Sequence, residues 1–164
     1  ALAIAKSKVP HAPTGRGFLL PHETRASVRH RPIAVVDESA LQQAARLADT
    51  PRRLSLCRQA LRQRDFSLLA DVAEMDCLLM HAVMQTSTPR LLYWQPPTLA
   101  VMQAVVAWRR SGVPTFFTID AGPNVHVFCP VEQVLQVETL LRQVPGVQEV
   151  LTALPGGPAR LEFS

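Results

Sequence analysis

Asp120 is the side chain whose sequence surroundings best suit it to proton transfer. Residues 115–128, TFFTIDAGPNVHVF, run an apolar strand into one carboxylate, then through Ala121-Gly122-Pro123-Asn124, then out along a second apolar run. A carboxylate at the end of a buried strand is costly to keep ionised unless turn N–H groups or a cation hold it. A general base is one use for such a group. The same residues also make a turn with no chemistry in it, because Asp and Asn bond nearby backbone N–H groups, Gly tolerates positive φ and Pro fixes its neighbour. Spacing alone leaves both readings open.

The other chemistry-bearing residues are more scattered. Asp76 and His81 fall on one amphipathic helix but five positions apart, about 140° round its axis, so they cannot form a metal pair of the i, i+4 kind. His81 alone also reads as a satisfied core or surface histidine. Cys57, Cys77 and Cys129 are an odd number with no C-x-x-C or Cys/His spacing. They suggest neither a disulfide framework nor a zinc site, and fit a reducing, cytoplasmic setting. The net charge of +4 is uneven: residues 1–31 carry six basic side chains against Glu23 alone, while the rest is nearly balanced. A basic loop carrying Gly and Thr can hold an anion such as phosphate, and Thr14, Gly15 and Arg16 lie in it. Nucleic acid is a poorer fit, since aromatic residues are 5% of the chain and no recognition motif accompanies the charge.

Several of these pieces occur together in one known family. Ile119-Asp120-Ala121-Gly122-Pro123-Asn124 resembles the DAGPN signature of the mevalonate diphosphate decarboxylases of the GHMP kinase superfamily. Gln63-Arg64-Asp65-Phe66, followed by Asp76 and His81, is similar to that family's R-D-F … D-S-N-x-x-H-A segment, and Leu92-Tyr93-Trp94 sits where it has an aromatic-bearing loop. Two departures stand out: Cys77-Leu78 replaces the family's Ser-Asn, and the loop after Lys6 is longer and different.

The elements that must position these residues follow from periodicity and punctuation. Residues 1–6 read as a strand and 7–23, with three prolines and two glycines, as a long loop. Residues 37–48 form a helix, Thr50-Pro51 opens a second that runs to Arg64, and its arginines, Arg53 among them, read as a solvated face. Residues 67–85 form the most amphipathic helix, with Leu68, Leu69, Val72, Met75, Leu79, Ala82 and Val83 as its core stripe. A helix over 98–111 precedes the two strands that flank Asp120. A helix over 131–143 and strands over 147–153 and 159–163 complete the chain. Adjacent strands joined by short turns argue an α+β fold, an antiparallel sheet with helices packed on one face. The resemblance implies the ferredoxin-like C-terminal lobe of a GHMP kinase. The 164 residues make one domain, and no apolar run reaches the length of a membrane span, so a soluble protein is expected. The chain opens at Ala1, without Met and within an apolar run, and reads as the C-terminal part of a longer polypeptide.

The resemblance implies ATP-dependent decarboxylation of a phosphorylated mevalonate, the diphosphate or the 5-phosphate, with ATP and Mg as cofactors. A tertiary hydroxyl is a poor nucleophile, so a base must draw its proton as the γ-phosphoryl group arrives. Asp120 is the expected base. Thr14 and Arg16 are expected to touch substrate phosphate, and Gly122, Asn124, Asp76 and His81 to shape the turn or the site wall. No phosphate loop of the GHMP type occurs in the chain, so the nucleotide is expected on an N-terminal lobe of the same protein, with a homodimer implied by the family only. A 3-kinase that phosphorylates without decarboxylating, and a small-molecule-binding module without chemistry, remain as alternatives.

Overall fold

The strands beside Asp120 form because apolar residues recur at every second position. In the computed structural model, which describes residues 2–8, 38–154 and 156, β2 (Phe116–Ile119) and β3 (Val125–Pro130) pair antiparallel, Phe117 opposite Val127 and Ile119 opposite Val125. Alternate side chains share a face, so Phe117, Ile119, Val125, Val127 and Cys129 lie together, all buried. β1 (Leu2–Lys8) pairs antiparallel with β3 and with β4 (Glu149–Ala153), giving the order β2-β3-β1-β4.

Two helices close that face. α3 (Pro96–Arg110) and α4 (Val134–Arg142) lay Val101, Val105, Val137 and Leu141 on it, each fully buried. Burial of such a side chain stabilises by about 1.5–3 kcal/mol, which makes this layer the core. α3 starts on Pro96-Pro97 behind a Gln95–Thr98 capping box. It ends at Gly112, φ +95, where the Val113 and Gly112 N–H groups reach back to the Trp108 and Arg109 carbonyls. α2 (Phe66–Thr86) runs along the free edge of β2, and α1 (Glu38–Gln63) packs on α2. The α+β, antiparallel-sheet expectation holds, with the helices divided between a face layer and an edge layer.

Three expectations change. First, residues 38–63 form one helix with Pro51 inside it. Pro51 has no N–H to give to the Leu47 carbonyl, and beside that gap Thr50 Oγ1 and Arg53 Nη2 both donate to the Arg46 carbonyl at 2.9 Å. Second, Arg53 is not on a wet face. It is 4% exposed and bonds Asp49, Thr50 and Asp76. Third, the buried residues of α2 are Ala70, Val72, Glu74, Cys77 and His81, so of the expected stripe Val72 is buried while Met75 is half-exposed. The helix faces a strand edge, whose unpaired backbone groups select polar partners over leucines.

Between α1 and α2 the chain makes a corner on Arg64, a non-glycine residue at φ +55. The Asp65 N–H bonds the Ala60 carbonyl at 2.9 Å, and Asp65 then caps α2 through Leu68 N. The Arg64-Asp65-Phe66 run is therefore helix-corner chemistry, with Phe66 placed 5.3 Å from the Phe116 ring. Among the described residues no helix is long and apolar enough to cross a membrane. Thr14, Arg16 and the expected strand over 159–163 lie outside the described residues.

Candidate active site

An edge strand carries backbone groups that pair with nothing in its own sheet, and burying them unpaired is costly. In β2 the residues opposite the β3 non-hydrogen-bonded positions, Phe117 and Ile119, point those groups at α2. Glu74 Oε1 accepts from Phe117 N at 3.1 Å, and Cys77 Sγ accepts from Ile119 N at 3.2 Å and donates to Ile119 O at 3.5 Å. His81 Nε2 stands 3.0 Å from the same carbonyl. A carbonyl only accepts, so Nε2 carries the proton. The spacings of three and four put Glu74, Cys77 and His81 in one row on the helix, and they reproduce what a neighbouring strand would supply.

The row is charged and buried at one end. Arg109, from the last turn of α3, grips Glu74 through Nη1–Oε1 at 2.7 Å and Nη2–Oε2 at 2.8 Å, and its Nη1 also donates to Thr115 O at 2.9 Å. Hydrogen bonding to Glu74 raises the Arg109 pKa still further. At the other end, burial pushes the His81 imidazole below its ordinary pKa, opposed by the Ile119 bond and the charge of Asp120. Trp94 covers the ring at 5.0 Å and Tyr93 stands edge-on at 6.4 Å. Burial likewise raises the Cys77 thiol, helped by the charges of Asp120, Asp76 and Glu74, so it stays protonated and keeps its donor.

Asp120 is the next residue after this locked carbonyl. Its side chain is 84% accessible, and His126 Nδ1 on β3 lies 3.8 Å from Oδ2, an ion pair only when that ring is protonated. Within the turn, Gly122 N donates to Asp120 O at 2.8 Å. On the far side of the turn, Thr98 Oγ1 donates to the Pro123 carbonyl at 2.7 Å, and Thr98 is fully buried at the start of α3. The turn is thus tied to α2 at Ile119 and to α3 at Pro123, with the carboxylate left open between the ties. At Gly122 the φ is not left-handed and an added Cβ meets nothing within 4 Å, so the backbone there does not require glycine.

The sequence-predicted residues separate in space. Asp120, Gly122 and Asn124 share the turn, and His81 lies behind the strand as a satisfied core histidine. Asp76 faces the other way. It lines a groove of about 470 Å³ with Leu47, Leu54, Val72 and Thr118, and is held by Arg53 Nε at 3.1 Å and Arg46 Nη2 at 3.3 Å. Asp120 does not line that groove. Glu74, Arg109 and Thr98 were absent from the sequence reading. The signal available for Glu74 was a carboxylate inside an otherwise apolar helix stripe. Among the described residues no group of three His, Cys, Asp or Glu side chains is placed to hold a metal ion.

Comparison with known proteins points to one family. Residues 34–160 match the family model of the mevalonate 5-diphosphate decarboxylase C-terminal domain. The phosphomevalonate decarboxylase of Haloferax volcanii is 34% identical over 118 residues, which are 71% of this chain and 36% of that protein. The crystal structure of mevalonate diphosphate decarboxylase from Staphylococcus aureus superposes with a TM-score of 0.70 at 26% identity, over 92% of this chain and 42% of that one. A structure of MDDEF in complex with MVAPP, AMPPCP and magnesium shares the fold, with a TM-score of 0.69 at 23% identity over 92% of this chain and 43% of that one. The chain spans well under half the length of each of these proteins. With most of its residues inside that family model, and the Asp120 turn set on an α+β scaffold of the same shape, the chain belongs to the mevalonate 5-diphosphate decarboxylase C-terminal domain family.

Proposed function

We propose that this chain is the base-bearing C-terminal lobe of an ATP-dependent decarboxylase acting on a phosphorylated mevalonate, with Asp120 as the general base. The observation that carries the reading is the placement of Asp120: an accessible carboxylate immediately after a strand end whose backbone is tied down, in a chain of this family. In that role Asp120 takes the proton of the tertiary 3-hydroxyl, which makes the oxygen nucleophilic. Having taken that proton Asp120 is neutral, so its part is confined to this transfer. Once phosphorylated, that oxygen leaves the tertiary carbon as inorganic phosphate, and the electron pair of the bond to the substrate carboxylate becomes the new double bond as CO₂ leaves.

The described residues supply neither a phosphate cradle nor a metal cluster, so they do not fit the nucleotide or its Mg. Both are assigned to an N-terminal lobe of the same protein. That the Haloferax relative is a phosphomevalonate decarboxylase supports including the 5-phosphate beside the diphosphate in the proposal. The test is Asp120→Asn in the full-length protein, with CO₂ release followed on both phosphorylated mevalonates in the presence of ATP. Turnover is expected to fall by about 10²–10⁴ with the fold retained. Near-native CO₂ release would remove Asp120 from the mechanism, and phosphorylation without CO₂ release would make the protein a 3-kinase.

A further inference from the structure

The two ties on the Asp120 turn come from residues that nothing in the proposed chemistry uses. Cys77 meets both backbone groups of Ile119, the residue before the base, and Thr98 meets the carbonyl of Pro123, three residues after it. Both side chains are buried, at 5% and 0%, and neither reaches the surface on which Asp120 opens. Packing alone asks for no thiol or hydroxyl at these positions, although Thr98 Oγ1 also accepts from Gln95 N at 3.2 Å in the α3 capping box. An apolar residue of similar volume would pack, but it would leave the Ile119 N–H buried without a donor's partner and the Pro123 carbonyl with one acceptor site unmet.

Resting on the reading of Asp120 as the base, we infer that Cys77 and Thr98 are positioning residues for it. They fix the height and direction of the Ile119–Pro123 backbone so that the carboxylate meets the substrate hydroxyl in line. A proton transfer is sensitive to such placement, since displacement of a reacting group by about 1 Å can cost about 10²-fold in rate. Cys77 does this with longer, softer bonds than a serine hydroxyl would make. The thiol's raised pKa keeps it from ionising beside Asp120.

The experiment compares Cys77→Ala and Thr98→Val, each alone and each combined with Asp120→Asn, in the full-length protein, reading kcat and KM for the phosphorylated mevalonate with ATP. Each single variant is expected to lower kcat by about 10–100-fold while KM moves less than about threefold, because the lost interaction acts on the chemical step. Cys77→Ser is expected to restore most of what Cys77→Ala loses. In the Asp120→Asn background neither substitution is expected to lower kcat further, since there is no longer a base to misplace. Equal fractional losses in both backgrounds, or native kcat in the folded single variants, would overturn the inference. Native turnover of Asp120→Asn would remove the base assignment and this inference together, whereas a defective Asp120→Asn beside fully active Cys77→Ala and Thr98→Val removes the inference alone. If Cys77→Ala does not fold, Thr98→Val, which keeps the side-chain volume, carries the same comparison.

Discussion

Replacing Arg109 by Met tests the edge-locking scheme at its charged end. The Glu74 side chain is 11% accessible and has three donors, two from Arg109 and one from Phe117 N. Met keeps much of the apolar stem but removes both charge-assisted bonds and the one to Thr115 O. Breaking a buried pair from one side typically costs 3–5 kcal/mol, because the remaining charge is left without its partner. Arg109 keeps 28% of its side chain in solvent, so water relieves part of that cost, and a loss of about 2–3 kcal/mol is expected. Glu74→Gln keeps the shape and an acceptor for Phe117 N, and should cost about 1–2 kcal/mol. The double variant should cost less than the two singles together by at least about 1 kcal/mol, the signature of directly coupled residues. Denaturant unfolding followed by the emission of Trp94 and Trp108 reads all three, and added salt should change the Arg109→Met loss little, since a part-buried pair is weakly screened. Additive single losses, or an Arg109→Met variant within about 0.5 kcal/mol of native, would show that the pair does not clamp β2.

Two further outcomes follow from the same geometry. The folded pKa of His81 lies below its ordinary 6.5, so as pH falls the unfolded chain takes up the proton first. Stability contributed by this residue is therefore complete above about pH 6.5 and declines below it until the folded pKa is passed; His81→Gln should flatten that part of a stability–pH profile, and an unchanged slope would refute the assignment. Gly146 sits at φ +85, with a built Cβ 2.5 Å from Pro97 Cγ and 2.9 Å from Pro97 Cβ. Gly146→Ala should therefore cost about 1–3 kcal/mol in unfolding measurements, while Gly122→Ala, with open space at its Cβ, should stay within about 0.5 kcal/mol. Equal effects at the two glycines would refute this reading of the two turns.

The sequence by itself determined the strands around Asp120 and α3, read over 98–111 and found over Pro96–Arg110 with its end at Gly112, because alternation, proline and glycine act on neighbouring residues. It also determined the family resemblance, through the DAGPN run. It misjudged α1 and α2, and for one reason. Whether Pro51 ends a helix depends on the packing of α1 against α2, where Arg53 reaches Asp76, and whether α2 buries leucines or Glu74, Cys77 and His81 depends on what it packs against. Periodicity registers apolar positions, whereas a free strand edge demands hydrogen-bond partners, and only the folded chain brings residues 74–81 within reach of residues 117–119. The openness of the Asp120 carboxylate was decided in the same place, by backbone ties from two helices distant in sequence.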